Sequence, residues 1–471
     1  MSRAEAILAT LLVYMGVMLA IGVWASRRTR DETDFLLGGR KLGAWVAALS
    51  ASASSSSAWT LLGVSGAAYN WGLSAVWLFP AIFLGYLANW AWVGPRIRVL
   101  SRKTGAITLT EVLAGDKKDP LYPLIMKTAS VIIVVSFMFY VASQLQAAGK
   151  AFDNSFGLGQ DLSLLIGVLV VVTYTLLGGF WAVSVTDTLQ GLLMVGAAVV
   201  LPVAAMVAVG GPDQLLAGLK AVATGNQLSW TGPFTGVMGV AFVLGLLGIG
   251  VGYPGQPHVV NRFMAIKDES SLRAGRVIAL GWCVLIYSGT LLIGLCARVL
   301  YSTIADGEMV FFEVANRLLS PVMAGVIVAA VLSAIMSTAD SQLLAAASSV
   351  SHDWRLADGK TSDLNVSRVV VLIVSVLATL LALFAPDAIF SRVLFAWSAV
   401  GSAFAPPLLV RLAGYEATAK STLSAMTMGA GLTVVLHLMP DAPGDVAERL
   451  VPFVLALGIS IAGIRGRTQA A

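Results

Sequence analysis

Long apolar runs separated by short polar gaps fill most of this 471-residue chain. A helix needs about 20 apolar residues to cross a bilayer, and most of the runs are close to that length. The pattern therefore predicts an all-α protein with thirteen membrane-spanning helices. Their predicted bounds are 5–25, 44–69, 73–94, 122–149, 161–177, 180–208, 233–253, 277–300, 309–345, 369–386, 389–410, 421–438 and 450–464.

Two of the predicted spans contain sequence that interrupts a helix. The second span holds small and hydroxyl-bearing residues from Ser50 to Trp59, and the seventh holds five glycines and two prolines between Gly245 and Pro257. Irregular backbone at membrane depth is stable only where protein or a water-filled cavity satisfies its polar groups. The two segments lie five spans apart, which indicates an inverted-repeat secondary transporter with its binding site between the breaks. Tight helix packing through small residues is the alternative explanation.

The composition agrees with a membrane protein and excludes other classes. Hydrophobic residues make up 58% of the chain and charged residues 12%, with a mean hydropathy of +0.85, whereas soluble proteins are about 25% charged. The net charge of +5 is explained by basic loops between spans, so we expect no nucleic-acid partner. The two cysteines fall in one apolar segment and indicate neither a disulfide nor a thiolate metal site. The sequence contains no P-loop, zinc-protease or dinucleotide motif, so we expect neither an ATP-driven pump nor an enzyme.

The distribution of lysine and arginine predicts the orientation. These residues favour cytoplasmic loops, and 22 of the 30 fall on the cytoplasmic side if the N-terminus is outside and thirteen spans follow. They are Arg27, Arg28, Arg30, Arg40, Lys41, Arg96, Arg98, Arg102, Lys103, Lys117, Lys118, Arg262, Lys267, Arg273, Arg276, Arg355, Lys360, Arg368, Arg411, Lys420, Arg465 and Arg467. We therefore predict a multi-pass protein of a cell membrane, the inner membrane in a bacterium, with the C-terminus in the cytoplasm and no obligatory protein partner.

Two acidic residues lie within long apolar stretches, namely Asp187 and Asp340. A carboxylate costs about 3 kcal/mol at the bilayer centre, so each is expected to pair with a cation, a proton or a basic residue inside the protein. Neighbouring hydroxyls, among them Ser337 and Ser341, would suit a hard cation. Simple hydration of a shallower carboxylate is the alternative. None of the three histidines has a zinc partner at motif spacing.

Five stretches carry a resemblance to a known family. They are FLLGGRKLG (35–43), ALSASASSSSAWTLLG (48–63), YTLLGGFWAVSVTDTLQG (174–191), GYPGQPHVVNRFMA (252–265) and LSAIMSTADSQLL (332–344). In this order and spacing they resemble the sodium/solute symporter family, and within it the members that carry proline. The resemblance implies a leucine-transporter-type core of two inverted five-helix repeats, over 44–208 and 233–410. A leading helix (5–25) and two trailing helices (421–464) complete a single transmembrane domain over 1–471.

The resemblance also implies positions for the sites. The main sodium site would use the carbonyls of Ala53, Ser56 and Ala334 and the hydroxyls of Ser337 and Thr338. A second cation, or a proton, would be held by Asp187, Ser337, Asp340 and Ser341. The solute pocket would be formed by Ser55, Ser57, Trp59, Tyr140, Ile249 and Tyr253. Arg40 matches a basic residue involved in coupling on the cytoplasmic side.

The chain departs from the proline-carrying members within that pocket. Ser55 replaces an acid, Val141 a cysteine and Ile249 a tryptophan, which argues against proline itself. We therefore expect a sodium-coupled secondary symporter that imports a small amino acid such as proline, or a small carboxylate, by alternating access. Sodium is the co-transported ion. Proton coupling and a sugar or polyol solute are the alternatives within the fold, and a channel or a transporter-like sensor are the alternatives outside it.

Overall fold

The computed structural model describes residues 2–26, 37–177, 180–361, 364–385 and 388–467. Nearly all of these residues are helical. The bounds of the helices are α1 Arg3–Ser26, α2 Ala44–Ser55, α3 Val64–Trp71, α4 Leu78–Ala88, α5 Gly94–Thr104, α6 Leu109–Ala114, α7 Tyr122–Phe156, α8 Gln160–Leu177, α9 Phe180–Val209, α10 Pro212–Val222, α11 Gly236–Val251, α12 Pro257–Ala265, α13 Glu269–Leu300, α14 Val310–Leu318, α15 Pro321–Ser348, α16 Leu364–Phe384, α17 Ile389–Leu412, α18 Ala419–His437 and α19 Val446–Ala462.

Shorter elements join or extend these helices. Turns of 3-10 helix cover Gly38–Arg40, Gly72–Trp77, Tyr253–Gly255, Gly307–Met309 and Pro443–Asp445, and π-helical turns cover Trp59–Gly63, Asn89–Val93 and Ser349–Trp354. The last of these turns and a final turn, Arg355–Ala357, extend α15. Two short strands, β1 Tyr415–Ala417 and β2 Ile464–Arg467, pair antiparallel.

Both predicted helix interruptions are present. The first helix stops at Ser55 and resumes at Trp59, and the second stops at Val251 and resumes at Pro257 after one 3-10 turn. We refer to α2 with α3 as the first broken helix, and to α11 with α12 as the second. Serines cause the first break because their hydroxyls compete for backbone groups: Ser55 donates to the carbonyls of Ala51 and Ser52.

One predicted span is divided. The apolar run 309–345 is split into α14 and α15, with Leu319 and Ser320 in extended conformations between them. The ring of Pro321 disfavours helical geometry at the preceding residue, and proline is well accommodated in the first turn of a new helix. The single helix expected over this run is therefore wrong.

Every predicted span overlaps a helix or a broken pair. Among the described residues, nine helical stretches are long and apolar enough to cross a membrane. The stretch Trp59–Thr104 is one of the nine and includes parts of two predicted spans, which meet at Gly72, where φ is +65°. The count of thirteen and the two repeat boundaries therefore stay predictions.

The outside of the bundle is apolar, as a lipid-facing surface requires. Large side chains such as Val207, Val237 and Phe384 are 75%, 85% and 80% exposed, and exposed apolar surface on this scale marks a membrane or partner contact. Within the bundle, α2 packs against α9, α12, α13 and α15. The first broken helix therefore lies at the centre of the molecule.

Contacts between loops agree with the predicted alternation of sides. Arg98 pairs with Glu269 and Lys127 with Asp358, all on the side predicted to be inner. Lys150 pairs with Asp306 and Glu308 on the opposite side. We call these the inner and outer sides. The predicted basic residues 27–30 lie outside the described residues, as do positions 35–36 and 178–179 of the family-like stretches.

Candidate functional site

The predicted main sodium site brings the first break against α15. The Ser337 hydroxyl lies 3.2 Å from the carbonyl oxygen of Ala53 and 3.3 Å from that of Ala334. The hydroxyl of the next residue, Thr338, is buried and has no hydrogen-bond partner. A buried polar group without a partner needs a water molecule or an ion. Neutral oxygen atoms of this kind suit a hard monovalent cation.

Ser56 lies in the break itself. Its backbone is non-helical (φ −104°, ψ 79°), and its N–H donates to the carbonyls of Ser52 and Ala53. Its hydroxyl is 3.3 Å from the Tyr86 hydroxyl and accepts a 3.3 Å hydrogen bond from the Trp282 indole. The Ser56 hydroxyl therefore contacts Tyr86 and Trp282. The predicted sodium site uses the carbonyl of Ser56 and not this hydroxyl.

The two buried acids are linked through an arginine. Asp187 Oδ2 accepts hydrogen bonds of 2.7 Å from the Ser50 hydroxyl and from Arg262 Nη2. The same Nη2 donates to the Ser341 hydroxyl at 2.7 Å, and Ser341 lies 3.5 Å from Asp340 Oδ1. Asp187 Oδ1 and Asp340 Oδ2 are buried without a partner. Of the four residues predicted for the second cation site, Asp187 and Ser341 are therefore already hydrogen-bonded to the guanidinium of Arg262.

Arg262 is a member of this buried network that the sequence does not predict. It was counted among the cytoplasmic basic residues, but in the structure it is only 2% exposed. Nε donates to the Ser50 hydroxyl at 2.6 Å, and Nη1 donates to the carbonyl of His258 one helical turn earlier. Two signals could have found it: the unpaired buried acids need a basic partner, and Arg262 lies within the family-like stretch 252–265.

The predicted solute-pocket residues form two neighbouring groups. In the first, Tyr140 donates to the Ser57 hydroxyl at 3.3 Å, and the Trp59 ring lies 5.6 Å from the Phe390 ring. The Trp59 indole N–H is buried and has no partner. A donor and an aromatic face are therefore presented at the first break.

The second group surrounds the second break. The Tyr253 ring packs on Tyr86 and on Trp397, with centroids 5.2 and 4.6 Å apart. The Trp397 indole donates to the Ile249 carbonyl at 3.0 Å, and Ser55 joins the group through a 3.0 Å contact with the Tyr86 hydroxyl. Tyr86, Trp397 and Phe390 were not predicted, because they lie on α4 and α17, far from both breaks in the sequence.

Arg40 lies apart from both sites, on the inner side. Its guanidinium donates to the Ser101 hydroxyl and the Ala106 carbonyl, both at 2.7 Å. Burial, together with the charge of nearby Arg102, lowers the pKa of Arg40 from its ordinary value, although an arginine stays charged at neutral pH. Arg40 therefore fixes the connection between α5 and α6 and does not contact the ions or the solute pocket.

Cavities of different size lie near the site on the two sides. Two cavities of about 580 Å³ each lie on the outer side, and Trp71 and Phe390 line both. Phe390 packs on the buried ring of Trp59, so one side chain separates these cavities from the first break. On the inner side, the cavity beside Arg262 and Ser341 measures only about 20 Å³. Beside the site, the larger cavities are therefore on the outer side.

Comparison with known proteins finds relatives along the chain. A family model described as the sodium:solute symporter family matches residues 35–429. The chain is 36% identical over 457 residues to the high-affinity proline transporter PutP of Bacillus subtilis (strain 168), covering 93% of this chain and 95% of that protein. It is 34% identical over 450 residues to the sodium/proline symporter of Escherichia coli (strain K12), covering 93% and 88%.

Two solved structures have the same fold. One is the substrate-bound outward-open state of a Na⁺-coupled sialic acid symporter, with a TM-score of 0.79, 19% identity and coverage of 99% of both chains. The other is MhsT in complex with L-phenylalanine, with a TM-score of 0.55, 13% identity and coverage of 90% of this chain and 99% of that one. At these identities the likeness concerns the fold alone, and it confirms the predicted leucine-transporter-type architecture.

Proposed function

Because the chain belongs to the sodium:solute symporter family, we propose that sodium binds between the first break and α15 and drives the import of a small amino acid or carboxylate. The protein is a sodium-coupled solute symporter of the multi-pass membrane class, a transporter rather than an enzyme, and sodium and the solute are its transported substrates.

The observation that carries the sodium assignment is the group of oxygen atoms around Ser337. Its hydroxyl lies within 3.3 Å of two backbone carbonyls from different helices, and the neighbouring Thr338 hydroxyl is buried without a partner. We assign the ligands to the carbonyls of Ala53, Ser56 and Ala334 and the hydroxyls of Ser337 and Thr338. Bound sodium would replace the missing partner of Thr338 and join the first broken helix to α15.

The solute is proposed to bind between the two breaks. Trp59, Tyr140 and Tyr253 supply aromatic surface, and Ser57 with the free Trp59 indole N–H supplies polar contacts. Where the first broken helix resumes, the N–H of Ala58 donates to the Gln144 side chain and that of Trp59 to the Ser57 hydroxyl. A solute carboxylate that displaced these contacts would be held by the partial positive charge of the helix start without an arginine. Relatives named as proline transporters support an amino acid. Ser55, Val141 and Ile249 depart from the pattern that the family resemblance implies for members that carry proline, so proline is one candidate among several.

Arg262 is proposed to close the inner side. Its guanidinium joins α12, the inner half of the second broken helix, to Asp187 on α9 and Ser341 on α15. Opening the inner side requires α12 to move away from α9 and α15, so these hydrogen bonds must break in each cycle. Rocking of one group of helices against the other would then expose sodium and solute to the cytoplasm.

The sodium gradient supplies enough energy for accumulation. One charge that moves through 100 mV is worth about 2.3 kcal/mol, and a tenfold sodium gradient adds about 1.4 kcal/mol. For one sodium ion per solute, the two terms together could concentrate the solute roughly 500-fold. We place the protein in a cell membrane, the inner membrane in a bacterium, with its N-terminus outside.

Proton coupling is the second candidate, and one observation favours it. Asp340 is fully buried, and its Oδ2 has no hydrogen-bond partner. Its nearest basic group, Arg262, is hydrogen-bonded to Asp187 and Ser341 instead. A buried carboxyl group in this position can be neutralised either by a second sodium ion or by a proton.

Uptake of labelled solutes into proteoliposomes tests the assignment. The panel contains amino acids, small carboxylates and polyols, each assayed with an inward sodium gradient and with potassium at equal ionic strength. We expect one solute class to accumulate with sodium only. Thr338→Ala should reduce sodium-dependent uptake at least tenfold, because it removes a ligand, whereas Thr338→Ser keeps the hydroxyl and should retain most of it. Unchanged sodium activation in Thr338→Ala would refute the site, and accumulation driven by a proton gradient without sodium would favour Asp340.

A further inference from the structure

A second cluster of ionisable side chains lies on the inner side, away from the transport site. Glu111 on α6 meets His352 and Asp353 on the π-helical extension of α15, and one potential ligand atom from each lies within 4.8 Å of the other two. Glu111 and His352 are each 8% exposed and Asp353 is 1% exposed. The transport mechanism described above uses none of the three.

Local structure holds each of these side chains in place. Thr108 caps the start of α6, because its hydroxyl accepts a hydrogen bond from the N–H of Glu111. The same hydroxyl donates to Asp353 Oδ1 at 2.8 Å. The N–H of Ile107 donates to Glu111 Oε1 at 3.1 Å. A π-helical turn, which often marks a functional position, carries His352 and Asp353. The cluster is therefore held by the backbone and by a hydroxyl, as ligands of a preformed metal site are held.

The charges of the cluster favour a cation. His352 Nε2 lies 3.1 Å from Glu111 Oε1, and the lysine beside Glu111, Lys117, is 66% exposed and 3.8 Å away. Two buried carboxyl groups therefore share one imidazole and one distant ammonium group. A further observation points to a ligand: the hydroxyl of Tyr122, the first residue of α7, is buried without a partner, and α7 packs on α6 and on the π-helical turn.

We propose that Glu111, His352 and Asp353 bind a divalent metal ion of the zinc class on the inner side of the protein. Imidazole nitrogen and carboxylate oxygen are both zinc ligands, and a site with three protein ligands leaves a fourth zinc position for water. Ligand atoms of a tetrahedral zinc site lie about 3.3 Å apart, so binding needs only a small contraction of the cluster. The imidazole selects zinc-class ions over magnesium and calcium, which prefer oxygen ligands alone.

The position of the cluster gives the ion a consequence for transport. Ile107 and Thr108, which precede α6, line the narrow inner cavity together with Arg262. The N–H of Leu109, the first residue of α6, donates to the Asn261 side chain on α12 at 3.2 Å. A metal ion that joins α6 to the end of α15 would hold these elements in the closed arrangement. Zinc on the inner side should therefore slow transport. This effect on transport rests on the proposed closure of the inner side, whereas the binding of zinc does not depend on it.

The experiment measures binding by the full chain in detergent, without solute, by competition with a chromophoric zinc chelator. We expect one zinc ion per chain, undisturbed by a hundredfold excess of magnesium. His352→Gln and Glu111→Gln should each weaken zinc binding at least tenfold. The matched control is His437→Gln, because His437 also pairs with a glutamate, Glu448, at 3.0 Å but lies at the outer end of α18. This control should bind zinc like the parent protein.

Folding of each variant is checked separately, by its thermal unfolding transition and its elution as a monodisperse species. Loss of zinc binding in a folded His352→Gln protein, together with retained binding in His437→Gln, supports the site. Absence of stoichiometric zinc binding by the parent overturns it, and so does equal zinc affinity of parent and His352→Gln. Failure of sodium-dependent uptake in the earlier experiment would refute the proposed function but leave this binding result unaffected.

Discussion

Arg262 and Asp187 illustrate how much a single buried pair can decide. Their side chains are 2% and 0% exposed, and 2.7 Å separates Nη2 from Oδ2. Bringing two charges out of water costs several kcal/mol for each ion, and partners for most of the remaining hydrogen-bonding groups offset part of that cost, although Asp187 Oδ1 has none. Ser50, Ser341 and the His258 carbonyl supply those partners. The same network holds α12 against α9 and α15, so stability and gating depend on the same atoms.

Breaking this pair from one side should destabilise the protein strongly. Asp187→Asn leaves the Arg262 guanidinium without a counter-charge, and Arg262→Met leaves the Asp187 carboxylate without one. Each substitution should therefore lower the free energy of unfolding by about 3 to 5 kcal/mol. The double variant removes both charges and should be more stable than either single variant. The free energy of unfolding in mixed detergent micelles is measured for the parent, the two single variants and the double variant. Glu269→Gln, which breaks the partly exposed pair with Arg98, is the control and should cost less than about 1 kcal/mol.

Additive effects in the double variant would contradict this account, because they would mean that the two side chains do not interact. A loss in Glu269→Gln as large as that in Asp187→Asn would also contradict it, since the effect would then not depend on burial.

At the scale of elements, close helix crossings depend on glycine. Gly401 on α17 faces Gly252 in the second break, and a Cβ atom at 401 would lie 2.6 Å from the Cα atom of Gly252. Backbone atoms cannot yield as a flexible side chain can, so α17 would have to shift. Through this crossing α17 brings Trp397 against Tyr253 and the Ile249 carbonyl. The shape of the second break therefore depends on a residue that lies about 150 positions away.

Gly401→Ala is expected to lower stability by about 1 to 3 kcal/mol through overpacking and to impair sodium-dependent uptake, because α17 supports the second break. Gly281→Ala is the matched control: Gly281 is also in a helix, α13, but a Cβ atom there meets nothing within 4 Å. Alanine favours a helix over glycine by up to about 1 kcal/mol, so the control should be as stable as the parent or slightly more so. The melting temperature and the sodium-dependent uptake are measured for both variants. Equal values for the two variants would contradict the proposal that the close approach of α17 to Gly252 shapes the second break.

At the scale of the whole molecule, the cavities beside the two sides of the proposed transport site differ in volume. The two outer cavities measure about 580 Å³ each, and the inner cavity beside Arg262 measures about 20 Å³. Alternating access requires the opposite arrangement to exist as well, and the populations of the two depend on interactions present in only one of them. We propose that the hydrogen bonds of Arg262 across α9, α12 and α15 belong to the arrangement in which the inner side is closed.

Labelling with a thiol reagent should report this balance. Both native cysteines, Cys283 and Cys296, are buried and give a low background. Asn70→Cys, which faces both outer cavities, should react quickly, and Ala345→Cys, beside the inner cavity, should react slowly. Adding Arg262→Ala should raise the rate at Ala345→Cys several-fold and lower the rate at Asn70→Cys. Unchanged rates at both positions would mean that Arg262 does not hold the inner side closed.

The sequence by itself determined the features that arise from local chemistry. Apolar runs longer than about 20 residues must span or be buried, so they predicted the helices well, and the serines at 54–57 and the glycines and prolines at 245–257 predicted both breaks. The family-like stretches gave the architecture and brought Ala53, Ala334 and Ser337 into one proposed site, and these residues do lie together. The division at Pro321 was missed, although its signal is local.

Tertiary structure alone decided which distant groups meet. Arg262 looked like one more cytoplasmic cation, because charge patterns cannot distinguish a basic residue in a loop from one that turns inward to a buried acid 75 positions away. Trp397, Phe390 and Tyr86 entered the pocket through helix packing, which is set by the shapes of facing surfaces. Glu111 and His352 are 241 positions apart, and no spacing rule joins them. Such contacts depend on how the helices assemble, and a pattern along one chain does not contain that information in readable form.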